Sequence, residues 1–388
     1  MNLSVSSLTA REAAALLGVR TSTIYAYASR GLLGGGTRGP GRQALYPREL
    51  VENLRVKAAS RAGHAAVAAA ALRWGEPVLD SAITRITPRG PVYRGTRATD
   101  LVERPFETVA DLLWAQTSDW TQRLPRIRTR SPRPSLHTLL EVVVHFAPQL
   151  ALEEPHRAPA LLHRLACVAG EGESLAESQP TIAGALTASL LNRRGKPREV
   201  ALVNAALVLI ADHELNASTF AARVAASAHA PWVDCLIAAL GAAAGTRHAA
   251  ACDAAETLWR TAKRARNTTA WTAHQLELHG TLPGFESGAY RDGDPRAECL
   301  LRRLRPTLVS AGHRLDELLV AVERKTGQMP AVDIAFAVLS SHLGFPPGGA
   351  KLLFVLGRTA GWLAHVAEQR SSVAAIRPRA RYVGTSGS

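Results

Sequence analysis

A short apolar run that stops at three adjacent ionisable side chains constrains this chain more than any other feature. Residues 200–211 read Val-Ala-Leu-Val-Asn-Ala-Ala-Leu-Val-Leu-Ile-Ala, and Asp-His-Glu follows directly at 212–214. The run is too short to span a bilayer and has the length of a helix that is buried on all sides. Three polar side chains at its end would be costly to bury unpaired, so they must face partners or a ligand. The sequence therefore predicts a histidine at a deep helix break, with Asn216 or Ser218 capping the next helix.

The composition is typical of a soluble protein with a large core. Of the 388 residues, 47% are hydrophobic, which is enough for two or three domains. The four cysteines are scattered, with no CxxC pair and no His/Cys cluster at metal-ligand spacing. We therefore expect free thiols, no metal and a reduced cytoplasmic setting. The N-terminus also lacks the basic-then-apolar pattern of a secretory signal, and no apolar run reaches the length of a membrane span.

The charge balance indicates an anionic partner. The net charge is +14, and most of the cations are arginines, which suit bidentate contacts to carboxylate and phosphate. Residues 1–64 carry nine lysines and arginines against three acidic residues, a net charge of +6 in a sixth of the chain. Polyanionic metabolites and nucleic acid are both candidates.

Residues 1–57 have the pattern of a small winged helix-turn-helix module. Thr9 and Glu12 can form a capping box that opens a first helix, and Thr21 or Ser22 is expected to cap a second one. Two short helices around a Gly-containing turn make a helix-turn-helix.

A Gly/Pro/Arg-rich loop and the run Ala-Leu-Tyr at 44–46 then predict a hairpin wing before a third helix. The run Ser-Thr-Ile-Tyr-Ala-Tyr-Ala-Ser-Arg-Gly-Leu-Leu at 22–33 resembles the N-terminal module of MerR-type and excisionase-type proteins, which implies DNA as a partner. A role in packing or oligomerisation without DNA stays open. Alanine-rich residues 58–78 are expected to form a helical connector.

From residue 106 to residue 277 the pattern is repeatedly helical, and few runs alternate with period two, so we predict an all-α domain. A helix is predicted from Phe106, and further predicted helices cover residues 139–146, 158–168, 181–191, 200–211, 219–228, 249–265, 297–304, 308–325, 332–343 and 350–370. A glycine-rich loop is expected within 278–300, where exposed backbone N–H groups could hold phosphate.

Several motifs resemble the citrate synthase family in order and spacing. They are Tyr-Arg-Gly at 93–95, Phe-Glu-Thr-Val at 106–109, His-Glu-Leu-Asn-Ala-Ser-Thr-Phe at 213–220, Thr-Arg-His at 246–248, Pro-Gly-Phe at 283–285, Asp-Pro-Arg at 294–296, Val-Asp at 332–333, Gly-Arg-Thr-Ala-Gly-Trp-Leu-Ala-His at 357–365 and Arg-Pro-Arg at 377–379. The resemblance covers about 79–384 and implies a multi-helical fold with a large subdomain and a small one, roughly 249–344.

The resemblance also implies a reaction, in which acetyl-CoA condenses with a 2-oxo acid such as oxaloacetate and releases CoA. That chemistry needs a base for a weakly acidic methyl proton, a neutral donor for the enol and a donor for the ketone. By motif, the base is Asp333 and the enol-stabilising donor is His248. The implied substrate-binding residues are His213, Arg296, Arg358 and Arg377. In the family the tail arginine enters the neighbouring subunit's site, so a homodimer is implied; acetyl-CoA is a substrate, and no cofactor or metal is expected.

The chain departs from the family at the ketone-polarising histidine, which falls on Ser287. A serine hydroxyl donates a hydrogen bond but carries no positive charge, and the loss of one such donor typically costs about 10²–10³ in rate. A shifted loop could place His274 or His279 near that position. Cys252 is a second departure, at the end of Ala-Ala-Ala-Cys.

These departures leave two alternatives to a citrate or 2-methylcitrate synthase-like enzyme. One is a weakened paralogue that senses an acyl-CoA or di-acid and acts through DNA. The other is a synthase for a different 2-oxo acid.

Overall fold

The structure, a computed structural model, describes residues 7–17, 19–30, 32–33, 37–38, 44–47, 50–51, 79–151, 155–285, 289–290, 292–372 and 375–378. Contacts divide the chain into one unit of residues 1–80 with 377–388 and a second unit of residues 81–376. The predicted connector, residues 58–78, lies outside the described residues, as does Ser287.

The first unit contains the elements of a helix-turn-helix with a hairpin. They are β1 (Ser7–Thr9), α1 (Ala10–Leu17), α2 (Thr21–Ser29), β2 (Thr37–Arg38) and β3 (Ala44–Pro47), with β3 pairing antiparallel to both other strands. The predicted capping box is confirmed, since Glu12 N donates to Thr9 Oγ1 (3.3 Å) and Thr9 N donates to Glu12 Oε2 (2.8 Å). The predicted cap of α2 is wrong. Arg20 occupies that position without a side-chain hydrogen bond, and Thr21 is already helical.

The second unit is built from helices, and the described part confirms the all-α prediction. In chain order they are α3 (Phe106–Trp114), α4 (Leu136–Leu150), α5 (Ala158–Val168), α6 (Glu173–Glu177), α7 (Ile182–Leu191), α8 (Pro197–Ile210), α9 (Ala217–Ser227), α10 (Trp232–Ala243), α11 (Ala251–Ala262), α12 (Thr268–His279), α13 (Pro295–Leu304), α14 (Val309–Thr326), α15 (Val332–Leu343) and α16 (Gly349–Arg370). None of the described helices is long and apolar enough to cross a membrane.

Three of these helices were not predicted: α6, α10 and α12. In α12 only small or isolated side chains are buried, namely Thr268, Thr272 and Leu276, so the sequence carries no broad apolar stripe there. Because α12 continues to His279, the glycine-rich loop begins at Gly280, where φ is +74°.

A small antiparallel sheet precedes the helices. Strands β4 (Thr84–Thr87), β5 (Gly90–Tyr93) and β6 (Thr96–Arg97) pair in that order. Tyr93 is fully buried in the main hydrophobic core, with its phenol among the last carbonyls of α8. The sheet therefore fixes the end of the helix that precedes His213.

Helices α8 and α16 form the centre of the core, and two glycines bring them together. A Cβ on Gly357 would lie 2.9 Å from Leu207 O and would overlap Ile210 Cγ2, and a Cβ on Gly361 would overlap Asp212 Oδ1 and Ala211 O. Their i, i+4 spacing places both on one face of α16. The close approach also lets Gly361 N donate to Ala211 O (2.9 Å), just before the helix break.

Candidate active site

The polar break after α8 is held by the backbone on all sides. Tyr93 Oη lies 3.1–3.2 Å from the carbonyl oxygens of Val208, Leu209 and Asp212, at the end of the helix where carbonyls lack their usual partners four residues on. Glu214 has a left-handed backbone with φ of +51°, and its Oε1 accepts from Ile86 N (2.8 Å). The prediction of a break with partnered polar side chains is confirmed.

A buried chain of polar groups supports Asp212. Its Oδ2 lies 3.2 Å from His365 Nε2, and both side chains are fully buried. His365 Nδ1 in turn lies 3.3 Å from Arg223, which donates to Glu368 Oε2 (2.7 Å). Burial alone would raise the pKa of Asp212, but His365 and then Arg358 outweigh it and lower that pKa. Asp212 is therefore a buried anion whose charge faces the guanidinium of Arg358.

Arg358 is a buried cation with a donor to spare. It is 1% exposed, its Nε donates to Ile210 O (2.8 Å), and its Cζ lies 4.9 Å from the centre of the Phe354 ring. Within the described residues, its Nη1 has no hydrogen-bond partner. Burial and the nearby charge of Arg296 lower the pKa of Arg358 to about 10, against the opposite effect of Asp212. A buried guanidinium with an unused N–H is suited to a carboxylate ligand.

His248 lies in the turn between α10 and α11 and is fixed through its Nε2. That atom is 2.6 Å from Ser218 Oγ, and the ring meets Phe354 edge to face. Burial, followed by the charge of Arg358, lowers the pKa of His248 to about 4. The imidazole is therefore neutral at neutral pH.

The hydroxyl of Ser218 connects three residues of the site. Trp362 Nε1 can only donate, so Ser218 Oγ accepts from it at 2.9 Å. The single hydroxyl proton then points at Asn216 Oδ1 (2.8 Å) or at His248 Nε2 (2.6 Å). Asn216 Oδ1 already accepts from Thr219 N (3.2 Å), so the second orientation leaves no group unsatisfied. In that orientation His248 carries its proton on Nδ1.

Asp333 is the second residue of α15 and is half-buried. Its Oδ1 accepts from the Sγ of Cys252 (3.1 Å), which lies one helical turn after His248. Burial raises the pKa of Asp333, and the Cys252 thiol partly opposes that rise. The contact holds one carboxylate oxygen and brings the first turns of α11 and α15 together.

Arg296 and Tyr290 form the other side of the site. Arg296 donates from Nε and Nη2 to the two oxygens of Asp294 (3.0 and 2.8 Å), a local pair two residues apart. Burial disfavours its charge, but Asp294 outweighs burial and raises the pKa of Arg296. Tyr290 lies beside it, with its ring 5.4 Å from Arg296 Cζ and its Oη 2.9 Å from His213 Nε2.

His213 is neutral at this position. Burial, then the charges of Arg296 and Arg358, hold its pKa well below the usual range for histidine. The charges of Arg296 and Arg358 thus act on the pKa of both His213 and Tyr290.

The remaining predicted residues are not brought to this point by the described structure. Arg377 is exposed and belongs to the first unit. The predicted alternatives to Ser287, which are His274 and His279, are exposed on α12. In the described part of the chain, no group of three His, Cys, Asp or Glu side chains is placed to hold a metal ion.

The sequence did not identify the residues that hold the predicted site residues in place, although most of them lie within the quoted motifs. Tyr93, Trp362 and His365 were given no role, Ser218 was considered only as a helix cap, and Tyr290 was not singled out. The signal was available for His365, which is four residues after Gly361 and therefore on the same face of α16.

Residues 136–379 match the family model of the citrate synthase C-terminal domain, and residues 7–54 match a helix-turn-helix domain. Since the first match spans more than half of the chain, the protein belongs to the citrate synthase family.

Its relatives carry two enzyme names. Citrate synthase 2 of Bacillus subtilis is 34% identical over 193 residues, 48% of this chain and 52% of the relative. The 2-methylcitrate synthase of Mycobacterium tuberculosis is 29% identical over 359 residues, 80% of this chain and 89% of the relative. The chain thus spans about half the length of the first of these relatives and most of the second.

The solved structures extend the likeness of the fold. One is citrate synthase from Thermoplasma acidophilum in a ternary complex with carboxymethyl coenzyme A and oxaloacetate. It matches with a TM-score of 0.69 at 21% identity, over 80% of this chain and 95% of that one. Citrate synthase from Thermotoga maritima matches with a TM-score of 0.64 at 23% identity, over 80% and 94%. Both confirm the predicted fold.

Proposed function

We propose that this protein condenses an acyl-CoA with a 2-oxo dicarboxylic acid and releases CoA. The observation that carries the proposal is the buried Arg358, whose Nη1 has no partner in the described structure and whose charge acts on His213. An anion there would satisfy the guanidinium, and a dicarboxylate would reach Arg296 as well. The family relatives named citrate synthase and 2-methylcitrate synthase support this class of reaction.

Asp333 is proposed as the base that removes the methyl proton of the acyl-CoA. Burial raises the pKa of this carboxylate, which makes it a stronger base than an exposed aspartate. Cys252 holds Oδ1, which leaves Oδ2 to take the proton.

His248 is proposed as the neutral donor to the enol oxygen. Its pKa of about 4 keeps it uncharged at neutral pH, and the Ser218 hydroxyl can keep its proton on Nδ1. A neutral donor stabilises the enol without stabilising an ion that must later be neutralised. The enol carbon then attacks the ketone carbon, and hydrolysis of the thioester releases CoA.

Arg358, Arg296 and Arg377 are proposed to bind the carboxylates, with His213 as a further contact. Arg377 would act in the neighbouring subunit of a homodimer. Mixing the Asp333→Ala and Arg377→Ala variants tests this. Activity above that of either variant alone is expected, because one site of a mixed dimer has both residues; no gain contradicts the shared site.

The deciding experiment follows CoA release from acetyl-CoA and from propionyl-CoA with oxaloacetate. General base catalysis contributes about 10²–10⁴ in rate, so Asp333→Ala is expected to lose at least about 10². Asp253→Ala, which removes a partly exposed carboxylate paired with Lys351, is the matched control and should retain activity. If the wild type releases CoA no faster than Asp333→Ala does, the proposed synthase activity is refuted.

Ser287→His tests the departure from the family. We expect a gain in rate, since imidazole is a stronger ketone-polarising donor than a hydroxyl. An unchanged rate with an active wild type would mean that another group already supplies the donor.

A second candidate function is DNA binding by the helix-turn-helix, and α2 favours it. Arg20, Thr21 and Ser22 are exposed at its start and Arg30 at its end, while Ile24 is buried. We propose that this face contacts the phosphate backbone. Duplex binding by the full chain should weaken as salt rises, with a slope of about −0.9 per neutralised phosphate. Arg20→Gln should reduce that slope, and salt-independent or absent binding would leave the module a packing or oligomerisation element.

A further inference from the structure

The loop side of the site contains a phenol that the proposed reaction has not yet used. Tyr290 is 5% exposed, and its Oη lies 2.9 Å from His213 Nε2. The ring lies 5.4 Å from the guanidinium carbon of Arg296, and the two rings of Tyr290 and His213 meet edge to face. The phenol is therefore held between two proposed substrate-binding residues, His213 and Arg296.

The electrostatics keep this phenol protonated. Burial raises the pKa of Tyr290 to about 12, although the charges of Arg296 and Arg358 oppose the rise. His213 is uncharged, so the pair holds one imidazole N–H and one phenol O–H. One of these protons lies between the two rings. The other is on His213 Nδ1, against the residue's own backbone, when the phenol donates to Nε2. When His213 donates from Nε2 to Oη, the free proton is that of the phenol.

We infer that Tyr290 donates to the ketone oxygen of the bound 2-oxo acid and supplies the polarising group that Ser287 supplies only weakly. This inference rests on the proposed condensation, and it names the residue that recognises the ketone. His213 then acts behind the phenol as its hydrogen-bond partner. A phenol O–H next to two guanidinium groups is a stronger donor than a serine hydroxyl, because it is more acidic and any developing charge is stabilised.

The protons of the step balance once exchange with water is included. Asp333 takes one proton from the methyl group, and the new carbon–carbon bond pushes the C=O electron pair onto the ketone oxygen. That oxygen takes the phenol proton and becomes a hydroxyl. The resulting phenolate lies beside Arg296 and recovers a proton from water, while Asp333 returns its own to water. No oxidant or other reactant is needed.

The first test is a binding measurement that needs no turnover. Calorimetry on the full chain would compare oxaloacetate with succinate, which has the same two carboxylates and no ketone. Wild type should prefer oxaloacetate. Tyr290→Phe should weaken oxaloacetate binding about 10-fold, as expected for one lost hydrogen bond, and leave succinate binding within about 2-fold. Tyr25→Phe, in the exposed face of α2, is the matched control and should change neither; circular dichroism confirms that each variant is folded.

Kinetics provides the second readout. Tyr290→Phe should lower kcat for CoA release by about 10² while the KM for acetyl-CoA is unchanged. An unchanged preference for oxaloacetate, or equal weakening of both dicarboxylates, would overturn the inference and leave the condensation in place. Loss of the preference in Tyr290→Phe, together with a wild type that releases no CoA, would support ketone recognition and refute the condensation. Binding of neither dicarboxylate by wild type would overturn both.

Discussion

The two sides of the candidate site are built in different ways. On the helix side, comprising residues 208–218 and 357–365, the polar contacts depend on the close packing of α16 against the end of α8. Asp212 meets His365 and Ser218 meets Trp362 across that contact. Arg358 donates to Ile210 O, and Gly361 brings α16 against Ala211. On the loop side, which in the described chain comprises residues 280–285, 289–290 and 292–296, Arg296 is held by the side chain of Asp294 and Tyr290 by that of His213.

This difference indicates which parts of the chemistry can change in evolution. A substitution on the helix side disturbs the backbone of two core helices, whereas a side chain on the loop side can be exchanged for another of similar reach. The family motif is intact around His213, and the departure at Ser287 falls on the loop side. The fold therefore constrains carboxylate binding more strongly than it constrains ketone polarisation.

The largest expected effect compares the two arginines. Arg358→Gln should raise the Kd for oxaloacetate by about 10² or more, because truncation of one partner of a buried charge pair costs about 2–5 kcal/mol. Arg296→Gln should cost less, about 10-fold, since Arg296 must divide its donors between the ligand and Asp294. Calorimetry with oxaloacetate measures both, and equal losses would contradict the contrast between the two sides.

An intermediate effect is expected on stability from the glycine contacts of α16. Gly361→Ala places a Cβ against Ala211 O and Asp212, where overpacking typically costs about 1–3 kcal/mol. Gly241→Ala in α10 is the matched control, since a Cβ there meets no atom within 4 Å. It should stabilise by about 0.4–1 kcal/mol through helix propensity and reduced unfolded-state entropy. Thermal unfolding measures both changes, and similar shifts in Tm would show that the close approach is not required.

The smallest expected effect is a shift in the pH–rate profile. Asp333 must be ionised to act as a base, so kcat/KM should rise with pH through its pKa, above the ordinary aspartate range. The Cys252 thiol lowers that pKa, so Cys252→Ala should move the acidic limb to higher pH. Cys252→Ser retains a donor and should leave the limb nearly in place. A limb that moves equally in both variants would assign the shift to packing instead.

Local features of the fold could be predicted from the sequence, and long-range ones could not. The bounds of α15 and the cap of α9 by Asn216 follow from patterns within a few residues. Ser218 was assigned as an alternative cap, but its hydroxyl serves His248 and Trp362, which are 30 and 144 residues away. No sequence spacing encodes such contacts.

The same limit applies to the site. The resemblance named His213, His248, Asp333 and Arg358, and the structure brings these to one region. It could not show that Arg296 is already paired with Asp294, or that a phenol lies on His213. These depend on where the loop between α12 and α13 places its side chains.

The hydroxyl of Ser218 also gives this protein a built-in optical probe. Trp362, which is fully buried, shares that hydroxyl with His248. When His248 changes its hydrogen bonding on ligand binding, the polarity at the indole N–H must change with it. The emission that is lost in Trp362→Phe should therefore report occupancy of the acyl-CoA subsite directly, without a coupled assay.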